Sequence, residues 1–588
     1  MIARANALAA FGADRFDVVV IGGGITGAGV ALDAASRGYS VALVEREDFA
    51  CGTSSRSSKL VHGGLRYLQN FDLGLVREAL LERALMVNLA PHLVKPLAML
   101  VPFFEGKRPD RLTGVGLNMY DVMAAERLRR RPGRRARRAE QESEEWSPDR
   151  HRVVDAAEVV ERLPALAGRE ATSAYLFYDC QTDDVRLVLT ALGEAERFGA
   201  VCANRCEVTG LIEEEGRAAG VNCVDRETGV PFEVHADNVV NATGVWADQL
   251  RPHELHDEAE VPRITPSRGT HVILPRELLP VNAGAIVPAD GGRNVFVLPW
   301  LGRTLIGTTD TDYEGPLDHI RSDDADIEYL LAACNAFFET ELRPSDAVGA
   351  YAGVRPLIST GDPKKSVDIS RRAELYETSS GLVTITGGKL TTWRRMAKMA
   401  VDRIVEREGR EAPCRTHEIP LGQPIAAGDL PDTPGVDAES RTMLADRYGH
   451  AAREVLAVAA ERPELARRVV PGLPDLVAEA AFAVRREQAA HVSDVLLRRT
   501  RLGLLDARAL CAPDAEGTRA VAEAMAVELG WDAARTEREL RDWYAEAEAE
   551  GLAPAVPGDH VPEAPGAPTE HSAAELGGVP VPDGVVGR

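Results

Sequence analysis

The first apolar run, Phe16-Asp17-Val18-Val19-Val20-Ile21, is short and rich in β-branched residues, which predicts a buried strand. Gly22-Gly23-Gly24-Ile25-Thr26-Gly27 follows at once. Residues 28–37 then have helical character, and residues 40–44 form a second strand pattern that ends at Glu45. Helical spacing returns over 73–93, a strand-like run covers 97–104, and a helix is predicted over 184–198 before strands between 200 and 240. Residues 271–274 and 294–298 read as sheet strands. From about 435 the apolar positions recur at three- and four-residue spacing (Val455, Val458, Ala459; Val492, Val495, Leu496), which predicts a mostly helical region. Residues 551–588 are rich in proline, glycine and alanine and read as a disordered tail. There is no internal repeat.

Strand, GxGxxG, helix, strand and acid in this register predict a dinucleotide site. Gly22 permits the tight turn, Gly24 lets a pyrophosphate approach the backbone, and Gly27 lets helix and strand pack closely. Unpaired N–H groups at the helix start, around Ile25 and Thr26, attract a diphosphate. Glu45 is placed to accept from a ribose hydroxyl. Beyond Glu45 the chain enters a hydroxyl-dense stretch, Cys51 to Lys59, and then Leu60-Val61-His62-Gly63-Gly64-Leu65-Arg66-Tyr67-Leu68. Two later glycine turns, Asn241-Ala242-Thr243-Gly244-Val245-Trp246 and Gly387-Gly388-Lys389-Leu390-Thr391-Thr392, suit a long cofactor extended across a domain.

At 588 residues, two or three domains are expected. The net charge of −23 argues against a nucleic-acid binder, because phosphate attraction needs a basic face. Eight cysteines include no CxxC pair. Cys202 and Cys206 lack a companion pair, so no structural zinc is expected and reduced thiols are the simpler reading. The early apolar stretch is crowded with glycines and lacks signal-peptide form, and no run of about 18 apolar residues occurs. Eight arginines between 127 and 138, broken by Pro132-Gly133, read either as a solvated loop or as a contact with anionic lipid headgroups.

The stretches IGGGITGAG, TSSRSSKLVHGGLRYL, NATGVWAD, IGTTDTDY, AGVRPL, TGGKLTTWR and HVSDVLLRRTRL occur in this order between Ile21 and Leu502. Through them the chain resembles the FAD-dependent glycerol-3-phosphate dehydrogenases, of the flavoprotein family that includes the amino-acid oxidases. The resemblance implies an α/β chain. It has an FAD-binding Rossmann-like domain of glutathione-reductase type, an antiparallel-sheet substrate domain and an all-α C-terminal cap domain. The expected segments are FAD-binding at 1–90, 171–260 and 351–415. The substrate domain takes 91–170, with the arginine-rich loop, and 261–350. The helical cap takes 416–550 and the tail 551–588.

The resemblance also implies a reaction: sn-glycerol 3-phosphate is oxidised with FAD as first acceptor, and electrons pass on to a quinone. Such chemistry removes a hydride from carbon and a proton from oxygen, and it must hold a dianionic phosphate, for which arginines are well suited. Substrate binding is implied for Arg66, Tyr67, Arg355, Arg371 (with Arg372 beside it) and Lys389. His62 is the expected general base, because an unperturbed imidazole titrates near neutrality; a histidine hydrogen-bonded in the core or merely touching FAD is its alternative, and His271 is the second choice, with a core or surface role favoured for it. Arg355 polarises or holds the reacting oxygen. Arg46, Thr243, Gly244 and Trp246 belong with the cofactor, and Val208 flanks the adenine by analogy. Thr53, Ser54, Ser57 and Ser58 suit phosphates and ribityl, or else form an ordinary serine-rich turn. Gly387 and Gly388 at a helix start would aim the amides of Leu390 and Thr391 at the flavin. An oxidase delivering electrons to oxygen, a related amine or 2-hydroxy-acid oxidase, and an inactive flavin-binding scaffold are the competing readings. The cluster of cations argues against the second, and the retained Arg66, Lys389 and His62 against the third. A homodimer in the cytoplasm, with peripheral attachment to the inner face of the cell membrane, completes the expectation.

Overall fold

The β-branched run beginning at Phe16 does form a strand, Arg15–Ile21, and it sits at the centre of a sheet. The computed structural model describes residues 3–65, 72–104, 111–129, 150–253, 263–359, 373–512 and 514–554. Arg15–Ile21 pairs in parallel with Val41–Val44 on one side and with Pro231–Asn241 on the other. Val201–Ala203 extends the sheet at one edge; Val383–Gly387 and Ala373–Glu377 extend it at the other. Such a sheet is buried on both faces, which explains the unbroken apolar run. The helices Ile25–Ser36, Asp184–Arg197 and Trp393–Glu408 share one apolar cluster with it. On the other side a second cluster joins Phe11 and Phe16 to the hairpin Cys206–Glu214/Arg217–Asp225.

A second, larger sheet runs in the order Thr311–Asp312, Arg263–Pro275, Arg303–Gly307, Arg293–Trp300, Gly284–Ala289, Lys95–Phe104, Ala171–Gln181, Leu60–Val61. Gly349–Ser359 pairs along Arg263–Pro275, from Arg263↔Ser359 to Ile273↔Gly349. The pairing places 171–181 and 349–359 in this sheet, whereas the sequence boundaries at 171 and 351 put residues 171–181 and 351–359 with the first. The two strands find partners far along the chain, as in Leu60↔Gln181 and Arg263↔Ser359, and no local pattern reveals such pairs.

The C-terminal helices include Ala438–Tyr448, Ala452–Glu461, Ala478–Glu487, Glu516–Leu529 and Ala533–Glu550, in line with the apolar spacing. Their attachment is electrostatic as well as apolar. Arg498 and Arg499, from the HVSDVLLRRTRL stretch, both donate to Asp48 of the first sheet's loops, at 2.6 and 2.7 Å. Burial alone would raise Asp48, but the two guanidiniums hold its carboxyl below the usual range. Arg186–Glu487 and Arg205–Asp494 add two further buried bridges.

Candidate active site

The glycine-rich turn is built as its sequence demands. Gly22 has φ +107°, and a Cβ there would meet Ala242 O at 2.8 Å. A Cβ on Gly27 would stand 1.9 Å from Gly22 O, so any side chain would push the helix off the strand. Glu45 is buried and accepts from the Gly23 amide at 2.6 Å and the Glu47 amide at 2.8 Å. Burial raises its carboxyl, and those two amides oppose the rise. Ser54 Oγ accepts from the Ile25 amide at 2.9 Å.

This turn lines a cavity of about 460 Å³ whose walls come from both sheets. Gly22, Gly24, Ile25, Thr26, Glu45 and Arg46 line it on that side. Val208, Thr243, Gly244 and Trp246 line the adjoining wall, and His62, Arg355, Gly388, Lys389, Leu390 and Thr391 complete it. Gly27 lies behind it, packed on Gly22. The Arg46 guanidinium stands over the Trp246 ring, 5.5 Å from its centroid. The NATGVWAD stretch turns because Asn241 Oδ1 accepts from the Thr243 amide and hydroxyl at 3.2 and 2.7 Å.

The hydroxyl-dense segment divides. Thr53 Oγ1 donates to Val354 O at 2.6 Å, and Ser57 Oγ to Asp184 Oδ2 at 2.7 Å. Both hydroxyl protons are thus taken within the protein, and both residues line the cavity. Ser58 Oγ pairs with His271 Nε2 at 2.8 Å. His271 is 2% exposed and stacks on Tyr351 at 4.6 Å; burial holds its imidazole well below the ordinary range.

Two motifs far apart in sequence meet at His62. The His62 amide donates to Thr391 Oγ1 at 3.1 Å, and Thr391 Oγ1 donates back to His62 O at 3.2 Å. The GGKLTTWR stretch departs from expectation in one respect. Gly387 and Gly388 are not a helix start; with φ +74° and +69° they end the strand in a left-handed turn. A 3₁₀ turn, Leu390–Thr392, and then the helix Trp393–Glu408 follow, so the first helical amides come from Leu390 onward.

Arg355 is held in a cradle made by IGTTDTDY. Its Nη1 donates to Asp310 Oδ1 at 3.0 Å, and its Nη2 to Thr308 Oγ1 and Thr309 O at 3.3 and 3.2 Å. The side chain keeps 27% exposure, toward the cavity that it lines. Arg66, Tyr67 and Arg371 lie outside the described residues, as do the arginine-rich positions from 130 onward and residues 555–588. Several lining residues were not singled out from sequence, notably Cys51, Arg56, Gln249, Leu250 and Met396. Arg56 stood inside the quoted TSSRSSK stretch, which was the one available signal.

The cavity suits a dinucleotide: Gly22, Gly24, Gly244, Gly387 and Gly388 admit backbone contact along its lining, and Arg46, Arg56, Arg355 and Lys389 bring cations to it. Among the described residues no group of His, Cys, Asp and Glu is placed to hold a metal. All eight cysteines are free thiols. Residues 17–403 match the family of FAD dependent oxidoreductases, and residues 384–536 match the C-terminal domain of alpha-glycerophosphate oxidase. The chain is 38% identical over 568 residues to glycerol-3-phosphate dehydrogenase 2 of Mycobacterium tuberculosis, covering 95% of this chain and 92% of that protein. It is 35% identical over 505 residues to the aerobic glycerol-3-phosphate dehydrogenase of Bacillus subtilis, covering 82% and 87%. Among solved structures, the glycerol-3-phosphate dehydrogenase from Bacillus halodurans complexed with FAD superposes with a TM-score of 0.73 at 29% identity, over 93% of this chain and 97% of that one. A glycine turn that fits a pyrophosphate, a cavity that this turn lines and these matches agree: the chain belongs to the FAD-dependent oxidoreductase family.

Proposed function

We propose that the protein oxidises sn-glycerol 3-phosphate to dihydroxyacetone phosphate. The supporting observation is that His62, Arg355 and Lys389 line the same cavity as the glycine-rich turn. The names of the relatives point to the same substrate. FAD, when bound, would supply the acceptor for the hydride that leaves C2. The chain's own residues do the rest. Lys389 and Arg355 hold the anionic substrate, joined in this reading by Arg66, Tyr67 and Arg371. Arg355 orients the C2 oxygen, since its planar fork is fixed on one edge by Asp310 and Thr309. His62 accepts the hydroxyl proton, its backbone locked to Thr391. Glu45, Ser54 and the Gly22–Gly27 turn anchor the nucleotide half.

The final electron acceptor in this reading would be a quinone. No helix among the described residues is long and apolar enough to cross a membrane. A surface contact with anionic lipid is supported by the helix Arg111–Arg129, which leads into the arginine-rich run. Val115, Met119 and Val122, spaced four and three apart, stand exposed on it.

The test is anaerobic. Purified yellow protein should bleach with glycerol 3-phosphate and not with glycerol or lactate. No bleaching by glycerol 3-phosphate sinks the reading. In air, strong peroxide formation without reduction of a quinone analogue would replace the quinone by oxygen. His62→Ala should slow bleaching and abolish its dependence on neutral pH; unchanged bleaching across that range removes His62 as the base.

A further inference from the structure

Behind the cavity wall lies a buried cation with no place in the reaction described above. Lys59 is fully buried, yet its Nζ donates to Ser55 O at 2.6 Å and to Asp184 Oδ2 at 2.8 Å. The ammonium also stands over the rings of Tyr351 and Trp300, at 4.9 and 5.3 Å. Arg501, from the C-terminal region, converges on the same two acceptors: its Nη2 donates to Ser55 O at 2.8 Å and to Asp184 Oδ1 at 3.2 Å. Ser57 donates to Asp184 from its hydroxyl, and Tyr351 donates from its hydroxyl to Ser57 O at 2.8 Å. Asp184, Tyr351 and Arg501, from three other parts of the chain, therefore grip residues 55–59. That strap carries Arg56, Ser57 and Ser58 to the cavity wall, and Ser58 holds His271.

Stability alone accounts poorly for this arrangement. Taking an ammonium out of water costs several kcal/mol, and an ion pair returns that only with excellent geometry; an apolar side chain of similar volume often serves the fold as well or better. Lys59 also has φ +61°, a left-handed backbone that costs a non-glycine residue about 1 kcal/mol. A dehydrated charge on a strained backbone, beside a ligand cavity, points to local geometry that is being enforced.

We propose that Lys59 is a positioning residue, whose ammonium draws Ser55 O to Asp184 and so holds the 55–58 strap, with Ser58 and His271, against the cofactor. The proposal rests on FAD occupying the cavity. It assigns Arg501 a matching part: the C-terminal region fixes the floor of a site that it does not itself line.

The ammonium's environment supplies a second readout. It faces Asp184 and Asp183 from the segment that starts the helix Asp184–Arg197, Arg501 from the C-terminal region, and His271 and Tyr351 from the second sheet. Burial and the Arg501 charge lower Lys59 to about 7, against the pull of Asp184. The strap's grip should therefore weaken on moving from pH 6 to pH 9.

The experiment uses the full chain with Lys59→Met, which keeps the length of the side chain and removes the charge. FAD affinity is measured by titrating apoprotein, and the bleaching rate by stopped flow, at pH 6 and pH 9. The expected result is at least tenfold weaker FAD binding at pH 6 and a bleaching rate at saturating substrate lowered at least tenfold. The half-saturating glycerol 3-phosphate concentration should stay within twofold. The wild type should lose FAD affinity between pH 6 and pH 9, and the variant should show no such change. A folded Lys59→Met protein with wild-type FAD affinity and pH profile overturns the proposal. Should that variant fail to fold, Asp184→Asn carries the same expectation. Failure of both to fold assigns the cluster to stability and overturns it as well. If wild-type protein binds FAD but ignores glycerol 3-phosphate, the substrate reading falls while the FAD titration still decides the role of Lys59.

Discussion

Arg355→Ala separates catalysis from cofactor retention. The guanidinium gives one edge to Asp310 and Thr309 and turns the rest to the cavity. Hydrogen bonds from a charged donor contribute about 1.5–3 kcal/mol each. Truncation would remove those proposed to reach the substrate. It also removes the guanidinium partner of Asp310, whose side chain is only 11% exposed, and so leaves an anion facing an anionic substrate. Losing one such bond, about 1.5–3 kcal/mol, corresponds to roughly 10–10²-fold in kcat/KM. Arg355→Lys keeps the charge but not the planar fork, so it should recover only part of the loss. The double variant Arg355→Met/Asp310→Asn should be less impaired than the product of its single changes, because the two residues form one unit. The assay is anaerobic bleaching, with bound flavin quantified in each variant. A loss smaller than tenfold in Arg355→Ala, or loss of the flavin itself, would refute this reasoning.

Other perturbations test the frame around the site. Gly27→Ala places a methyl 1.9 Å from Gly22 O, an overlap that only backbone movement relieves. It should be purified with little or no FAD, and full flavin content would contradict the close-packed turn. His491 bridges Glu227 and Glu539 at 2.9 and 3.1 Å. Burial disfavours its charge, but hydrogen bonds to those two carboxylates raise the imidazole to about 10. A raised pKa stabilises the fold fully below the unfolded value near 6.5 and loses that contribution as pH climbs through about 10. The melting temperature of wild type should therefore exceed that of His491→Gln at pH 6, and the gap should close by pH 10. A gap independent of pH would show that the bridge is not ionic.

Much of the chemistry was legible because it is local. The Gly22–Gly27 turn, its flanking strands and Glu45 lie within about thirty residues, and backbone sterics decide that conformation with little help from the rest of the chain. The apolar spacing after residue 435 likewise marks helices, because a helix buries one face whatever it packs against. Hydroxyl direction is different: Thr53 and Ser57 turn their protons to Val354 O and Asp184, acceptors that approach only when the sheets and the helix Asp184–Arg197 have docked.

The sequence by itself determined the cofactor turn, the order of the motif stretches and the helical character of the C-terminal region. Each depends on interactions between residues a few places apart. Only the tertiary structure decided that 171–181 and 349–359 join the second sheet, that Asp310 cradles Arg355, and that Asp184 gathers Lys59 and Arg501. Those partners are separated by 45 to 317 residues in the side-chain pairs. Strand pairing and buried charge pairing are contacts between distant parts of the chain, and they acquire their energy only once water has been excluded between them.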